Sequence, residues 1–484
     1  MTYFNIRLTN IENCASKFPT EEPIMENNQE KVLTRKFGLF ATTCLVVGTI
    51  IGSGIFIKSE EMAAAIGGRL WYGIFAWALG GGIMFTFAYT FSRLASRHEK
   101  INGLIDYSEA VVGKRYGYAL GWYMATIYGP ALMAFLAHAT ARFTVALFGW
   151  EGVNQFFSAE TFMLAGVFLV LANVNNMLTP KLSLRFNITT TFLRIVPLIA
   201  MGIIGTIVGL VTGTTAENLQ SAFMGTAANP FLAAVFATAF AFAGWESTLS
   251  LNSEVKDGRR TLPLALLLGT CIVIGFYVLY YIGMYGAVDP ETMAAGGAVA
   301  GGTRQGFENI FHTMAGPILF AFIIISCFGA LNGFTMAHHR GMYSLARRNR
   351  GPAPHQFVQL DNVTQMPVNS GLMSMVLSMI WLFVFGGHQA GWYSLPISGL
   401  AVVFYNLTLF PILVGMMLKQ KDLNAFDRFV MPLVTISGGI LMLVSAWLVV
   451  RAVFIYFAVI AFAVVALGMI FYSSRGKRAE NAIT

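Results

Sequence analysis

The stretch that decides the fold is Gly48-Thr49-Ile50-Ile51-Gly52-Ser53-Gly54-Ile55-Phe56, which places three glycines and a serine inside an apolar segment. An α-helix that simply crossed a bilayer would have no use for this composition. In hydrocarbon each unpaired backbone N–H or C=O is costly, so a loosened helix survives only where it lines a polar cavity. The stretch therefore predicts a broken membrane helix whose bare amides and half-helix dipole hold a substrate carboxylate. Taken alone, it also fits a kink or a packing contact of small residues.

The composition is that of a membrane protein. Of the 484 residues, 56% are hydrophobic and 11% are charged, whereas roughly 25% are charged in an ordinary soluble domain. Apolar runs of about 18–25 residues recur from end to end, and each is long enough to cross the ~30 Å hydrocarbon core of a bilayer. We therefore predict an all-α integral membrane protein that is surrounded by a lipid bilayer.

Twelve of these runs are expected to be transmembrane helices. They lie near residues 37–57, 70–92, 117–148, 159–178, 187–212, 229–251, 262–287, 314–345, 371–387, 393–418, 429–450 and 452–473. Residues 1–36 are polar and mixed in charge, and no signal-peptide cleavage site follows the first run, so we expect a disordered cytoplasmic N-terminal tail. Residues 474–484 are predicted to form a cytoplasmic C-terminal tail.

Lysine and arginine are distributed unequally between alternate loops. With twelve spans, 25 of the 31 Lys and Arg residues fall on one side of the membrane. The remaining six are Lys58, Arg69, Arg142, Arg194, Arg304 and Arg451. Because cytoplasmic loops carry the excess of basic residues, we predict a multi-pass protein of the cell (inner) membrane with both termini in the cytoplasm. The asymmetry also explains the formal net charge of +8, and no nucleic-acid partner is predicted.

Neither a cofactor nor a metal is predicted. The four cysteines have no metal-ligand spacing, and thiols buried in a membrane behave as small apolar side chains. The adjacent pair His338-His339 cannot point in one direction from a helix. It lies near the basic end of the eighth span, so we expect it at the cytoplasmic surface rather than at a metal.

A second interruption occurs in the sixth span, at Phe240-Ala241-Phe242-Ala243-Gly244-Trp245-Glu246. Glu246 lies in apolar sequence at membrane depth, where a carboxylate is costly and is functional by default. The alternative is a structural carboxyl that, when protonated, donates to a neighbouring helix. Gly244 would allow local unwinding just before Glu246.

The two broken spans are five apart, and this spacing indicates an internal repeat. Two inverted five-helix repeats place their broken helices in equivalent positions, and the binding site lies where the two breaks meet. We predict a transporter core at residues 37–418, with repeats at about 37–213 and 229–418. Residues 429–473 would then form two peripheral helices.

Three blocks of sequence resemble the amino acid–polyamine–organocation (APC) superfamily of transporters. Gly48 to Phe56 is similar to the broken first helix of that family, of the form G-x-x-x-G-x-G-I-F. Residues 242–263 resemble its sixth helix and the following loop, and residues 340–367 resemble the loop after its eighth helix. The chain departs from the family in its loops, where Asp257-Gly258 replaces Asn-Pro and Arg348-Asn349-Arg350 replaces Asp-Gly. The resemblance implies the LeuT-type fold, a 5+5 inverted repeat with helices 1 and 6 broken.

The resemblance also implies where an amino acid would bind. The free amides around Ser53, Gly54 and Ile55 would bind its α-carboxylate, at the exposed N-terminal end of a half-helix. Carbonyls of Phe240 and Ala243 would accept from its α-ammonium, and Phe240 matches an aromatic lid position; ordinary packing is the alternative for each aromatic residue. The full set of implied substrate-binding residues is Ile50, Gly52, Ser53, Gly54, Ile55, Met124, Ala125, Tyr128, Gly129, Phe240, Ala243, Gly244, Glu246 and Phe334.

Arg194 is an isolated cation inside the fifth span. At that depth it needs partners, either backbone carbonyls of the broken first helix or a carboxylate such as Glu246. In sodium-independent relatives a basic residue lies at the similar position, which implies that Arg194 is a fixed positive charge in place of sodium. An arginine stays protonated, so Glu246 is the expected proton carrier for coupling. The alternative is a structural arginine that snorkels to the interface.

These observations predict a secondary active transporter of amino acids or related amines, working by alternating access, sodium-independent and proton-coupled. One alternative is an obligate exchanger (antiporter) of an amino acid and an amine, and another is a nutrient sensor that binds without transport. An enzyme is not predicted, because H-E-x-x-H, G-x-S-x-G and paired intramembrane aspartates are all missing from the sequence. A channel would need a filter repeat or a charge ring. The apolar pocket favours a neutral or cationic substrate, and the sequence leaves open both its identity and the choice between monomer and homodimer.

Overall fold

The computed structural model describes residues 38–97, 103–150, 158–220, 228–294, 301–389 and 396–480. The predicted N-terminal tail, residues 1–36, lies outside the described residues, and so do residues 481–484. The last helix extends to Glu480, so it covers most of the range that was predicted to be a C-terminal tail.

In the part of the chain that the structure describes, twelve helical spans follow one another, and two of them are broken. The first, α1, consists of Leu39–Ile50 (α1a) and Gly54–Ile66 (α1b), and the sixth, α6, consists of Pro230–Ala241 (α6a) and the 3₁₀ helix Trp245–Glu254 (α6b). The others are α2 Leu70–Ala95, α3 Lys114–Phe148, α4 Ala159–Leu178, α5 Pro180–Thr212, α7 Gly258–Ala287, α8 Ala315–Ala346, α9 Val368–Gln389, α10 Ile397–Lys419, α11 Phe426–Val449 and α12 Arg451–Glu480. Shorter connecting helices are Leu104–Val111, Thr214–Gln220, Pro290–Ala294, Gly301–Phe311 and Pro354–Phe357.

The predicted number of spans is confirmed. In the described ranges eleven helices are long and apolar enough to cross a membrane, and α1, which bends by 44° at its break, makes the twelfth. Two boundaries differ from the prediction for physical reasons. α1 continues to Ile66, beyond the predicted end at residue 57. The prediction stopped early because the second half of α1 carries charged side chains, which lower its hydropathy. α5 begins at Pro180, since proline is favoured in the first helical turn.

The two breaks lie against each other at the centre of the bundle. α1a ends where Ile51 adopts an extended conformation (φ −70°, ψ 107°), and α1b starts again at Gly54. In α6 the chain turns at Gly244, whose φ of +111° favours glycine. A Cβ at Gly244 would also overlap the carbonyl oxygen of Thr49, so this glycine permits the close approach of the two broken helices.

The third span contains a π-helical turn that a proline explains. Pro130 lacks an N–H, so it cannot donate to the carbonyl of Thr126 four residues earlier. Residues Met124–Tyr128 form the π-turn, and the Thr126 carbonyl accepts instead from the indole Nε1 of Trp381 on α9 at 2.9 Å. The freed carbonyl thus finds a partner inside the protein, as burial in a membrane requires.

The intact spans pack against one another and against the broken helices. α8 packs along α3 and α5, α7 packs along α2 and α1a, and α6a packs along α1b. α11 lies against α2, α6a and α10. The broken helices are therefore surrounded by intact ones.

Candidate functional site

Arg194 on α5 is fully buried and binds the break in α1. Its Nη1 donates to the carbonyl of Gly48 at 2.6 Å and to the carbonyl of Ile51 at 3.1 Å. Its Nη2 donates to Oγ1 of Thr190 at 3.0 Å and to Oδ1 of Asn187 at 3.2 Å. Of the two kinds of partner expected for Arg194, the structure therefore shows the backbone carbonyls of the broken first helix. The sequence could have indicated the other two partners. Thr190 and Asn187 lie four and seven residues before Arg194 and therefore share its face of the helix.

Tyr277 on α7 joins the two breaks directly. Its hydroxyl lies 3.1 Å from the carbonyl of Ala241, the last residue of α6a, and 3.3 Å from the carbonyl of Ile50, the last residue of α1a. Both carbonyls belong to the end of a half-helix, where no intrahelical donor is available. Tyr277 was not singled out from the sequence, because a tyrosine inside an apolar helix carries no local sign of its partners.

Glu246 is held by two hydrogen bonds just after the second break. Oε1 accepts from the hydroxyl of Tyr128 at 2.5 Å, and Oε2 accepts from the amide of Gly244 at 3.1 Å. The ring of Tyr128 stacks on that of Tyr405 from α10, with centroids 4.3 Å apart. Tyr128 and Glu246, both in the implied substrate-binding set, are therefore in direct contact. Tyr405, which was not in that set, packs beside them.

The proposed carboxylate site lies at the start of α1b. Ser53, Gly54 and Ile55 are buried, and the side chain of Ser53 makes no capping bond to the helix. The first amides of a helix have no intrahelical partner, so an anion is a natural ligand for them. A Cβ at Gly54 would lie 2.7 Å from the Cα of Ala241, so α1b and α6a touch at this point.

Phe240 and Phe334, the two aromatic residues of the implied set on α6 and α8, have different ring partners. Phe240 packs edge-on against Phe135 of α3, with ring centroids 4.5 Å apart. The ammonium of Lys58 lies over the ring of Phe135, 5.8 Å from its centroid. Phe334 stacks on the imidazole of His338. Phe135 is a further aromatic residue at the site that the sequence did not reveal.

The other residues of α3 in the implied set have different neighbours. The Cβ of Ala125 approaches Gly341, in a separate apolar cluster with Tyr118 and Leu345, and Met124 is half-buried. Gly129 leaves the space that the ring of His338 fills. Within the first break, Gly52 lies against Ala330 of α8, while Ile50 offers its carbonyl to Tyr277. Ala243 lies with Gly244 in the turn of α6.

The expectation that His338 and His339 lie at the surface is wrong. Both are buried, and His339 donates from Nε2 to Oδ1 of Asn173 on α4 at 2.7 Å. Nδ1 of His338 lies 2.9 Å from the carbonyl of Phe334. The short helix Gly341–Ala346 continues the span past the histidines, although Arg340 between them is exposed.

The site is closed on the side of α1b. The carboxylate of Glu60 is buried and accepts from the amide of Thr303, in the connection between α7 and α8, at 2.7 Å. Lys58 pairs with Glu61 at 2.6 Å on the same half-helix. Together with the contact between Phe240 and Phe135, these interactions cover the breaks from that side.

Comparison with known proteins identifies the family. The profile of the family described as Amino acid permease matches residues 37–481. The chain belongs to the amino acid permease family. Among the relatives of this permease is the serine/threonine exchanger SteT of Bacillus subtilis (strain 168), 26% identical over 423 residues, which are 87% of this chain and 92% of SteT. The human cystine/glutamate transporter is 26% identical over 73% of this chain and 69% of its own. The mouse b(0,+)-type amino acid transporter 1 is 24% identical over 81% of this chain and 78% of the mouse protein.

A solved structure gives the fold of the permease independently. MhsT in complex with L-phenylalanine superposes with a TM-score of 0.56 at 16% identity, covering 85% of this chain and 99% of MhsT. At that identity the likeness shows the fold alone, which is the LeuT-type arrangement of twelve helices. The permease is thus a multi-pass membrane protein that transports amino acids, and its family is one of transporters rather than enzymes.

Proposed function

We propose that this permease is a sodium-independent amino acid transporter of the cell membrane, in which Arg194 takes the place of a coupling cation. The observation that carries the proposal is the bonding of its guanidinium to the Gly48 and Ile51 carbonyls. Carbonyls released at a helix break are ligands for a metal cation in transporters of this architecture. Here a permanent positive charge already binds them, because arginine does not lose its proton in proteins.

The charge distribution supports the proposed orientation. The side with 25 of the 31 Lys and Arg residues would be cytoplasmic, and so would both termini. α1b would then face the outside, and the buried contact of its Glu60 with Thr303 would close that side.

The amino acid would bind where the two breaks meet. Its α-carboxylate would accept from the amides of Ser53, Gly54 and Ile55, and its α-ammonium would donate to carbonyls at Phe240 and Ala243. The walls of this region are apolar or aromatic, which favours a neutral side chain. We take L-serine and L-threonine as first candidates, because they are the substrates in the name of SteT.

Glu246 is the proposed proton carrier. It is the carboxylate next to the second break, it is buried, and it already receives hydrogen bonds from Tyr128 and Gly244. A carboxyl group in a membrane interior alternates more readily between protonated and ionised forms than an arginine does. Proton coupling would therefore pass through Glu246 while Arg194 stays charged.

The proposal is tested with purified protein in proteoliposomes and radiolabelled L-serine. A transporter accumulates L-serine in liposomes that contain no amino acid when a pH gradient is imposed. A sensor would bind L-serine, seen as a rise in its melting temperature, and would show no uptake. L-serine that produces neither effect would contradict the substrate proposed here.

An obligate exchanger is the second candidate, favoured by the name of SteT. An exchanger takes up labelled L-serine only into liposomes that are preloaded with an amino acid. Uptake that is absent from empty liposomes and present in preloaded ones would establish exchange in place of proton-coupled uptake.

A further inference from the structure

A small cavity lies beside α6, and none of its lining residues belongs to α1. Its walls come from α2, α3, α6, α10 and α11, and it encloses about 20 Å³. The polar side chains in its lining are those of Tyr128, Trp245, Glu246, Tyr405 and Asn406. Apolar side chains complete it, among them Met84 and Phe87 of α2, Val402 of α10 and Met442 of α11.

The hydroxyl of Tyr405 needs a partner in this cavity. Tyr405 is 1% exposed, and its hydroxyl has no hydrogen-bond partner within the described part of the chain. The carboxylate of Glu246 can accept further hydrogen bonds. Each of its oxygens has two lone pairs, of which one oxygen uses one for Tyr128 and the other uses one for Gly244. A buried water needs roughly 10–15 Å³ and two to four polar partners, and this cavity offers both.

We propose that the cavity binds a water molecule between Tyr405 and Glu246, and that this water exchanges the proton of Glu246 with the cytoplasm. The inference rests on the proposed role of Glu246 as proton carrier. In the transfer, the O–H bond of the protonated carboxyl breaks and an O–H bond of hydronium forms, and no electrons are exchanged. The proton thus leaves Glu246 through the cavity, toward α2, α10 and α11.

Polar side chains recur farther along the interface of α2 and α11. Seven residues before Met442, or roughly 10 Å along the helix, the hydroxyl of Thr435 meets that of Thr90 at 3.0 Å, and both side chains are buried. Farther along, the buried carboxylate of Asp427 accepts from the hydroxyl of Tyr89 at 2.6 Å. Asp427 also pairs with Arg93 at 3.3 Å, at the end of α2 that carries the basic residues.

Few other titratable groups face Glu246 from the elements around it. α3 contributes Tyr128 and Tyr123, and α10 contributes Tyr405. His338 of α8 lies behind Tyr128, with ring centroids 6.0 Å apart. The residues of α2 and α11 that line the cavity are all uncharged, so the first charged groups along this interface are Asp427 and Arg93.

The test changes the cavity wall and the polar side chains beyond it at two positions outside the implied substrate-binding set. Met442→Phe adds bulk to the cavity wall, and Thr435→Val removes a hydroxyl beyond it. For both variants we expect uptake of L-serine driven by a pH gradient to fall about tenfold or more, because proton transfer by a positioned group contributes at least that much. Exchange of labelled for unlabelled L-serine at equal pH on both sides should stay near that of the wild type.

Two variants on the lipid-facing side of α11 are matched controls. Ile440→Phe adds similar bulk there, and Ser437→Ala removes a hydroxyl that bonds only the Leu433 carbonyl of its own helix. Both should keep proton-driven uptake. Wild-type rates in Met442→Phe and Thr435→Val would overturn the water site alone. A wild-type protein that ignores the pH gradient would overturn the proposed coupling, and the water site with it.

Discussion

The guanidinium of Arg194 donates a 2.6 Å hydrogen bond to the carbonyl of Gly48, and so a side chain of α5 closes the end of α1a. Without this donor the carbonyl would lie unpaired at membrane depth, where no water replaces the lost bond. The same side chain reaches Ile51, inside the break itself. One buried cation therefore both stabilises the broken helix and supplies positive charge where the breaks meet.

Replacing Arg194 should separate these two effects. Arg194→Ala leaves two carbonyls without donors, which we expect to lower the free energy of unfolding by about 1–3 kcal/mol for each, and transport should be lost. Arg194→Lys keeps a charge and three donors, so it should retain part of the uptake. Melting temperature in detergent and L-serine uptake in liposomes measure the two effects.

Arg304→Ala is the control for this pair of variants. Arg304 forms an exposed ion pair with Glu308 on a connecting helix, and such pairs contribute about 0–1 kcal/mol. Its removal should change neither quantity appreciably. Wild-type transport by Arg194→Ala would refute the role given to the guanidinium.

Gly244 should not tolerate a methyl group. Its φ of +111° and its contact with the Thr49 carbonyl both exclude a Cβ, so Gly244→Ala should move α6b away from α1a and abolish uptake. Gly275→Ala in α7 is the matched control, because no atom lies within 4 Å of the added Cβ. There we expect full transport and equal or higher stability; full transport in Gly244→Ala would show that the breaks need not touch.

Glu246→Gln tests the proton carrier with little change of shape. The amide keeps an acceptor for Tyr128 or Gly244 but cannot ionise, so uptake should become independent of the pH gradient while exchange of L-serine continues. Glu160→Gln, on the exposed first turn of α4, should behave as the wild type. Retained pH-driven accumulation in Glu246→Gln would assign coupling to another group.

Tyr277→Phe removes the hydroxyl that joins the two breaks. The loss of one buried hydrogen bond costs about 1 kcal/mol, and here it also leaves the carbonyls of Ala241 and Ile50 free to move apart. We expect the affinity for L-serine, measured by its effect on melting temperature, to fall up to about tenfold. Tyr281→Phe removes a hydroxyl that contacts Tyr285 on the same helix and should leave the affinity unchanged.

The spans and both breaks could be predicted because their causes are local. Apolar runs give the helices, and glycine with serine or with a buried carboxylate marks where a membrane helix is interrupted. A bare charge in hydrocarbon is costly, so the sequence could limit the partners of Arg194 to backbone carbonyls of the broken first helix or a carboxylate. The structure selects between them, since only folding brings α5 beside α1.

The contacts that complete the site depend on neighbours far away in sequence. Tyr277 and Tyr405 look like ordinary residues of apolar helices until α7 and α10 are placed beside the breaks. The π-turn at Met124–Tyr128 inserts an extra residue into that turn of α3, which shifts the face to which Ala125 and Gly129 belong. His338 and His339 were misplaced because burial there depends on packing with α3 and α4.

The most direct test of the account compares two ion gradients in the same proteoliposomes. Uptake of L-serine is measured with a sodium gradient at equal pH, and with a pH gradient in sodium-free buffer. With Arg194 bound to the Gly48 and Ile51 carbonyls, we predict accumulation with the pH gradient and none that depends on sodium. Uptake that requires sodium and ignores the pH gradient would contradict the replacement of the cation by Arg194.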